Sequence, residues 1–455
     1  MMNHESRPES PGAPSAAPAK AARHYGMVAL IFLTFFVISL VTNVIGAINP
    51  DVGQTFGLSL TLVGLLPFAF FIAYGVMSIP SGMLLEKYRE KPVMIAAFSV
   101  AFAGAMLLSF LPSYPVFLLS LFLVGAGMAA LQVAINPLLR VSGGEEHFAF
   151  NSVMAQLVFG GASFLSPQLF SYFALNLGKP EGVGKPLIAL MSRLVPPALS
   201  WVSVYWIFAF LIIAMIVVLA SVRFPLVVKT EEEKAGAWAT HKALFKDRTV
   251  LLFFLGIFMY VGTEQGVSYW ISKFLQTYHG LDPKTVGAGA LSLFWLLMML
   301  GGILGLLLLK LLDSRAVLIG ATLAALVTLT VALFGPPLLA TFSIKLPLLG
   351  QTQVYLSYFS VVGFFASVMW PIIFSLALNS VRAHHGSFSG ILCTGIIGGA
   401  LVPLVVGRLG DMFGLRQGMF LLYLTLGYIL SIGLWAKPLI LNETVFQKKK
   451  RAEAA

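Results

Sequence analysis

Residues 200–222 read SWVSVYWIFAFLIIAMIVVLASV and carry no charged side chain. A helix needs about 20 apolar residues to cross the roughly 30 Å hydrocarbon layer of a bilayer, so this stretch is long enough to span a membrane. The segment that follows, 223–249, is hydrophilic and contains Glu231-Glu232-Glu233-Lys234. An apolar run of this length before a charged segment predicts a membrane-spanning helix that leaves the bilayer near residue 222.

Comparable apolar runs lie on both sides of that charged segment. Charged residues or Pro and Gly separate them, and each run is long enough to cross a bilayer with some tilt. Besides 200–222, they lie near 25–48, 58–84, 93–112, 115–139, 148–176, 250–277, 285–311, 316–335, 352–379, 387–407 and 418–436. We predict an all-α membrane protein with 12 transmembrane helices in two six-helix halves, 25–222 and 250–436, joined by a cytoplasmic linker at 223–249.

The composition excludes several functional classes. The 455 residues are 58% hydrophobic and 10% charged, whereas a soluble domain is about 45–50% apolar and about 25% charged. The single cysteine, Cys393, lies in an apolar run, so neither a disulfide framework nor a cysteine metal site is expected. The net charge of +11 is distributed between apolar runs, so we expect a lipid bilayer and no nucleic acid as the partner.

The positive charges predict an orientation. Because consecutive helices alternate in direction, every second connection lies on the same side, and Lys and Arg are enriched on the cytoplasmic side. With the amino terminus inside, 21 of the 29 Lys and Arg residues fall on the cytoplasmic side and 8 on the other. We therefore expect a multi-pass protein of the plasma (inner) membrane with both termini cytoplasmic, a disordered tail at 1–24 and a basic tail at 437–455.

Short strings recur at about half the chain length. Asn136-Pro137 in the fourth predicted span is echoed by Trp370-Pro371 in the tenth. Phe159-Gly160-Gly161-Ala162 in the fifth span is echoed by Ile397-Gly398-Gly399-Ala400 in the eleventh. These echoes suggest that the two halves arose by internal duplication, which is common in transporters.

The loop after the second span reads GMLLEKYREK at 82–91, with Gly82 and Glu86 before the basic residues Lys87, Arg89 and Lys91. It resembles the signature of the major facilitator superfamily, in which a Gly and an acidic residue precede a basic cluster at the cytoplasmic face. This resemblance implies a gating loop whose carboxylate binds a helix end and releases it when the halves rock. A short loop that is basic only because it is cytoplasmic is the alternative explanation.

Glu264 is the one acidic residue well inside an apolar span. A charge at the bilayer centre costs about 2.5–3.5 kcal/mol on insertion scales, so such a residue calls for a functional explanation. Tyr260, Glu264 and Ser268 recur at four-residue spacing and share one polar helix face, which should point at a central cavity. Glu264 is therefore our candidate coupling group for H⁺ or Na⁺; the alternative is a carboxylate tied permanently to a neighbouring helix.

Amide side chains are candidate ligands for a hydroxylated solute, because an amide both donates and accepts hydrogen bonds. Gln132 and Asn136 lie one turn apart in the fourth span, and Pro137 removes a backbone donor beside them. Amides also join transmembrane helices to each other, so a structural role remains open for Asn136. Weaker candidates of the same kind are Asn43, Asn151, Gln156 and, as a platform for an apolar sugar face, Trp370.

Several strings resemble the fucose and glucose/galactose permease family within the major facilitator superfamily. They are LQVAINP at 131–137, YVGTE at 260–264, PIIFSL at 371–376, GS at 386–387 and IIGG at 396–399. The resemblance spans roughly residues 25–435 and implies a twelve-helix, alternating-access symporter for a monosaccharide. Gln132 and Glu264 match the glucose/galactose branch better than the fucose branch.

The chain also departs from this family at two positions. Where the family usually places an acidic residue late in helix 1, before the proline corresponding to Pro50, this chain has Gly46. The family's helix 5 asparagine falls on Leu157, with Gln156 beside it. Because that helix 1 carboxylate is commonly linked to proton coupling, its replacement leaves the coupling ion, and coupling itself, open.

We predict a secondary active transporter that acts as a monomer and imports a hexose or deoxyhexose by alternating access, coupled to H⁺ or Na⁺ and without another cofactor. Within transport, the alternatives are an uncoupled sugar facilitator and a polyspecific exporter of amphipathic compounds. A non-transporting sensor or scaffold on the same fold is a third hypothesis. No enzyme is expected, because His384-His385 has no Cys or carboxylate partner at metal-ligand spacing and no nucleophile motif occurs.

Overall fold

The computed structural model describes residues 25–143, 148–179, 186–225, 242–346, 349–381 and 385–439. The predicted amino-terminal tail, most of the predicted linker and most of the predicted basic tail lie outside these ranges. The predictions made for those three segments, and the boundaries of the two halves, therefore stay predictions.

Twelve helices in the described ranges are long and apolar enough to cross a membrane. We number them α1 to α12: Tyr25–Phe56, Leu60–Tyr88, Glu90–Phe110, Tyr114–Gly143, Phe150–Asn176, Pro197–Ser221, Arg248–His279, Pro283–Leu311, Ser314–Phe334, Tyr358–Leu378, Ser387–Phe413 and Leu415–Trp435. A short helix, Pro186–Leu194, precedes α6. The predicted fold class, with its 12 transmembrane helices, is confirmed.

Three of these helices are interrupted within the membrane. Helix α1 consists of Tyr25–Thr42 and Ile45–Phe56, with a turn at Asn43 between them. Helix α10 is divided into Tyr358–Ala366 and Met369–Leu378, and α11 contains a 3₁₀ turn at Gly395–Ile397. Interrupted helices at membrane depth are tolerated where they are buried in protein or line a cavity, so these breaks point to the functional part of the bundle.

A β-hairpin that the sequence analysis did not predict connects α9 to α10. Strands β1 (Ala340–Leu346) and β2 (Gly350–Leu356) pair in antiparallel register from Ala340 with Leu356 to Leu346 with Gly350. Gly350 has a φ of +77°, a left-handed conformation that glycine adopts without strain. The sequence of β1, ATFSIKL, alternates polar and apolar residues, the pattern of a strand with one solvated face, whereas β2, GQTQVYL, begins with a polar stretch.

The helices form two packed groups that meet along three helix pairs. In the first group α4 packs against α2, α3 and α1, and α3 packs against α6; in the second, α10 packs against α8 and α9, and α12 packs against α7 and α9. Between the groups, α1 contacts α7, α2 contacts α11 and α5 contacts α8. We call the end of the bundle with the β-hairpin the hairpin end, and the opposite end, where residue 223 follows α6, the linker end.

The repeated Gly-Gly strings lie at corresponding places in the two groups. A Cβ atom on Gly160 of α5 would lie 2.8 Å from Met299 of α8, and one on Gly399 of α11 would lie 3.1 Å from Phe71 of α2. Each glycine therefore lets its helix approach a helix of the opposite half. In the echo, however, Gly160 corresponds to Gly398, where a Cβ atom would meet Phe258 of α7 in its own half. The equivalence therefore holds for the helix pairs α5–α8 and α11–α2 and does not extend to the individual glycines.

Candidate functional site

A narrow cleft with a volume of about 10 Å³ lies between the two halves, next to the break in α1. Helices α1, α2, α7 and α8 line it, with Phe71 and Leu291 as apolar walls. Its polar wall consists of Thr42, Asn43, Gln265, Ser268, Tyr269 and Trp295. We call it the central cleft. A volume of about 10 Å³ has room for roughly one water molecule, so the cleft must widen before it can hold a larger solute.

Asn43 and Ser268 are the two predicted site residues that line the central cleft. Asn43 is 5% exposed, and its Nδ2 donates to Ser163 Oγ of α5 at 2.8 Å. Ser163 Oγ in turn lies 2.7 Å from Ser39 Oγ. Asn43 therefore both lines the cleft and ties α1 to α5, so the binding and packing explanations apply to the same side chain.

Glu264 reaches the cleft through its neighbour in sequence. Gln265 lines the cleft, and its Nε2 donates to Glu264 Oε1 at 3.0 Å. The Tyr260 hydroxyl also interacts with the Glu264 carboxylate. No Lys or Arg within the described ranges forms an ion pair with Glu264. The carboxylate is thus surrounded by neutral hydrogen-bond donors.

Aromatic rings extend this cluster towards α10. The rings of Tyr260 and Trp370 have centroids 5.9 Å apart, and Trp370 stacks on Phe374 at 5.9 Å. Trp295 contributes a hydrogen-bond donor to the wall of the cleft. Its buried Nε1 has no hydrogen-bond partner within the described part of the chain. A buried donor without a partner beside a cleft is a position where a ligand oxygen would be stabilised.

The other predicted amides are not in the lining of the central cleft. Gln132 is half-buried, and Gln156 is exposed on α5. Asn151 lies against Gly143, where α4 ends at the linker end. The side chain of Asn136 lies outside the described part of the chain, although its backbone belongs to α4. A binding role for these four residues stays a prediction.

Four residues of the polar wall were not selected from the sequence: Thr42, Gln265, Tyr269 and Trp295. Gln265 could have been found by the criterion applied to Gln132, because it is an amide within an apolar span. Trp295 carried no such signal, since a tryptophan in an apolar helix is usually part of the packing. Only the three-dimensional arrangement shows that its Nε1 remains without a partner.

The predicted gating loop connects α2 directly to α3. Gly82 is buried, whereas Glu86, Lys87 and Arg89 are exposed. Lys91 Nζ donates to the carbonyl oxygens of Ala220 and Val222 at 2.7 and 2.8 Å, so it caps the end of α6 in the same half. Lys91 therefore stabilises the first half internally, and the gating role of the loop stays a prediction.

At the hairpin end, side chains join the two halves. Asp411 of α11 accepts hydrogen bonds from the backbone N–H groups of Leu60 and Thr61 at the start of α2, both at 2.8 Å. Lys284 of α8 pairs with Asp51 of α1 at 3.5 Å. These contacts cross from one half to the other, so they hold the hairpin end closed.

A second group of contacts closes the space between α5, α8 and the hairpin. Gln168 Nε2 of α5 donates to Ser292 Oγ of α8 at 3.1 Å, and Thr352 of β2 donates to Gln168 Oε1 at 2.5 Å. The hairpin therefore packs over the α5–α8 contact. Where both partners are described residues, every hydrogen bond or ion pair between the two halves lies towards the hairpin end.

Gly46 lies at a close approach of α1 to α7. A Cβ atom at this position would lie 2.8 Å from the carbonyl oxygen of Ser268, a backbone atom that cannot move aside alone. A carboxylate at position 46 would therefore not fit this conformation, which gives a physical reason for the departure from the family pattern. The nearest acidic residue along α1 is Asp51, whose partner is Lys284.

Comparison with known proteins identifies the family. Residues 31–396 match the Major Facilitator Superfamily. A glucose/galactose transporter of Brucella abortus is 28% identical over 429 residues, covering 92% of this chain and 97% of the relative. The L-fucose-proton symporter of Escherichia coli is 26% identical over 405 residues, covering 85% of this chain and 87% of the relative. These matches confirm the resemblance stated from the sequence strings.

Solved structures show the same fold. The crystal structure of the E. coli fucose:proton symporter aligns with a TM-score of 0.62 at 21% identity, covering 91% of this chain and all of that one. A bacterial homologue of the human lysosomal transporter Spinster, in an inward-facing conformation, aligns with a TM-score of 0.67 at 18% identity over 91% of this chain. The chain has twelve helices that can span a membrane, and the family match covers most of its length. It is therefore a multi-pass membrane transporter rather than an enzyme, and it belongs to the Major Facilitator Superfamily.

Proposed function

We propose that this transporter imports a hexose or deoxyhexose by alternating access, coupled to H⁺ or Na⁺. The relatives are named for glucose, galactose and fucose, and the first of them is similar over almost its whole length. We further propose that the linker end faces the cytoplasm of a cell with an inner membrane, as the distribution of Lys and Arg predicts. The hairpin end then faces outward.

The polar wall of the central cleft suits a sugar. Amides and hydroxyl groups both donate and accept hydrogen bonds, as sugar hydroxyls require, and Asn43, Gln265 and Ser268 supply them. Trp295 adds a donor that has no partner within the described residues. The adjoining aromatic pair, Tyr260 and Trp370, offers a ring surface for the apolar face of a sugar.

The surroundings of Glu264 are the main support for coupling. Its carboxylate accepts hydrogen bonds from the neutral side chains of Tyr260 and Gln265, and Gln265 also lines the cleft. A carboxylate without a cationic partner in an apolar helix must be neutralised, and H⁺ or Na⁺ does this reversibly. Because Gln265 contacts both Glu264 and the cleft, occupancy of the carboxylate affects the side chain that faces the sugar. Glu264 is therefore the proposed coupling group.

The expected consequence of coupling is measurable. One cation that enters down a potential of about 100 mV supplies roughly 2.3 kcal/mol, which supports about 50-fold accumulation of the solute. The experiment measures uptake of labelled glucose, galactose, mannose and fucose into proteoliposomes under an imposed H⁺ or Na⁺ gradient. Gradient-dependent accumulation of one of them supports the proposal. Equilibration without accumulation favours the facilitator, and absence of uptake of every sugar favours the exporter.

A substitution at Glu264 tests the coupling role. Glu264→Gln keeps the size and hydrogen bonding of the side chain but cannot take up a cation, so accumulation should fall to equilibration while sugar exchange continues. Glu264→Asp should retain part of the accumulation. Asp313→Asn, which removes a carboxylate that caps α9 at the linker end, is the matched control and should accumulate normally. Full accumulation by Glu264→Gln would remove Glu264 from this role.

A further inference from the structure

A second cavity, of about 310 Å³, lies at the hairpin end beside the contact between α1 and α7. We call it the vestibule. Its polar wall consists of Asn49 and Gln54 from α1 and Lys273, Gln276 and Thr277 from α7. Transport through the central cleft does not by itself explain why a polar wall of this kind is present here.

A single layer of residues separates the vestibule from the central cleft. Tyr269 lines the central cleft, and its hydroxyl donates to the carbonyl oxygen of Val63, a vestibule residue, at 2.6 Å. Asn49 in the vestibule wall donates from Nδ2 to the carbonyl oxygen of Tyr269 at 3.1 Å. A solute in the vestibule therefore lies against the layer that must open before the solute can reach the central cleft.

Lys273 supplies hydrogen-bond donors to the vestibule. Its Nζ donates to Gln276 Oε1 at 3.1 Å, and none of the lining residues is acidic. An ammonium group carries three donors, so this one bond leaves donors for a ligand. Gln54 and Thr277 at the exposed rim add groups that donate and accept.

Asn49 supplies the complementary acceptor. It is 1% exposed, and its Oδ1 has no hydrogen-bond partner within the described part of the chain, although its Nδ2 is bound. A buried acceptor without a partner is costly, and native proteins rarely leave one without a reason. Asn49 lines the vestibule, so a ligand hydroxyl group that displaces the atoms covering Oδ1 would satisfy this acceptor.

We propose that the vestibule is an entry subsite, which binds the transported sugar at the hairpin end before the layer at Tyr269 opens. This inference rests on the proposed function. A sugar suits both ends of the cavity, because one hydroxyl donates to Asn49 Oδ1 while another oxygen accepts from Lys273 Nζ. The sugar therefore binds at two places along its route, the vestibule and then the central cleft.

The test is an equilibrium titration of the purified full-length protein with labelled glucose or galactose. The wild-type isotherm should show two binding phases. Lys273→Met, which keeps the length of the side chain but removes its charge and donors, should weaken one phase about tenfold, as expected for one charge-assisted hydrogen bond. Thr277→Trp, which places bulk at the exposed rim, should abolish the same phase.

Lys345→Met provides the matched control, because Lys345 is an exposed lysine on β1 at the same end of the molecule and outside the vestibule. It should leave both phases unchanged. A single-phase wild-type isotherm, or two phases that neither vestibule variant alters, would overturn the inference. Sugar uptake by the wild-type protein is measured first: uptake with one binding phase refutes the vestibule alone, whereas no uptake and no binding refute the proposed function as well.

Discussion

The two ends of the bundle are stabilised in different ways. At the hairpin end Asp411 binds the start of α2, and Lys284 pairs with Asp51, so both contacts join one half to the other. At the linker end, Lys91 and Arg315 bond to carbonyl oxygens of their own half. A few hydrogen bonds that cross between rigid halves can break and re-form without unfolding either half, which is what alternating access requires.

The predictions that follow use one reporter of the hairpin end. A cysteine introduced at Ser268, in the central cleft, in a protein whose single native cysteine is replaced by Cys393→Ser, reacts with a membrane-impermeant thiol reagent added on the hairpin side only when that end opens. The rate of this reaction therefore measures how often the hairpin end is open.

The largest effect is expected from the close approach at Gly46. Gly46→Ala would place a methyl group 2.8 Å from the carbonyl oxygen of Ser268, and overpacking of this kind costs about 1–3 kcal/mol. The hairpin end should therefore open about 5- to 150-fold more often. Gly161→Ala is the control, because no atom lies within 4 Å of the new Cβ. Equal reporter rates in both variants would contradict the steric explanation.

A smaller effect is expected from Asp411. Asp411→Ala removes the acceptor for the N–H groups of Leu60 and Thr61, and loss of a helix cap costs about 0.5–2 kcal/mol. The reporter should react several times faster. Asp313→Ala removes the cap of α9 within a single half and should change stability without changing reporter reactivity. A reporter unaffected by Asp411→Ala would show that this contact does not hold the hairpin end closed.

The ion pair between Asp51 and Lys284 should contribute less. The Lys284 side chain is 36% exposed and the Asp51 side chain 9%, so water reaches the pair from one side, and we expect the upper part of the range of about 0.2–1 kcal/mol measured for exposed pairs. A double-mutant cycle with Asp51→Asn and Lys284→Met, read out by the reporter, should give a coupling energy in that range. The coupling should decrease at high salt. A coupling energy of zero at low salt would remove this pair from the closure.

The smallest effect is expected at the linker end. Arg89 has a φ of +66°, a left-handed conformation that glycine adopts more readily than arginine. Arg89→Gly should therefore increase the free energy of unfolding by up to about 1 kcal/mol, because the relief of strain is partly offset by the greater freedom of glycine in the unfolded chain. It should leave the reporter unchanged. Lys87→Gly, in the last turn of α2, should instead decrease it by about 1 kcal/mol. Destabilisation by both variants would show that the backbone at position 89 is not strained.

Most of the fold could be predicted because lipid imposes a simple rule on the sequence. A run such as 200–222 must be a helix, since only a helix or a closed barrel satisfies its backbone groups in the bilayer. The β-hairpin at 340–356 was missed for the converse reason. No requirement of the bilayer constrains this segment, and residues 352–356 were assigned to the tenth span. The second strand, GQTQVYL, also lacks the regular alternation of polar and apolar residues that marks a strand.

The candidate site could be predicted only in part. Glu264 and Ser268 were found because charge and helical spacing mark them in one apolar segment. The pairing of Asn43 with Ser163, and the Trp295 Nε1 without a partner, depend on how distant helices pack. The spacing of residues in the sequence predicts which side chains share one face of a helix. It does not predict how the faces of four helices come together to form a cleft.

The central claim is that the two ends of this transporter open in alternation around the central cleft. Distances between spin labels at the exposed residues Leu62 and Met412 report on the hairpin end, and those between Tyr88 and Leu251 report on the linker end. We expect glucose or galactose, added with an H⁺ or Na⁺ gradient, to lengthen the first distance and to shorten the second. If both distances lengthened or shortened together, or if no sugar changed either of them, the two ends would not open in alternation.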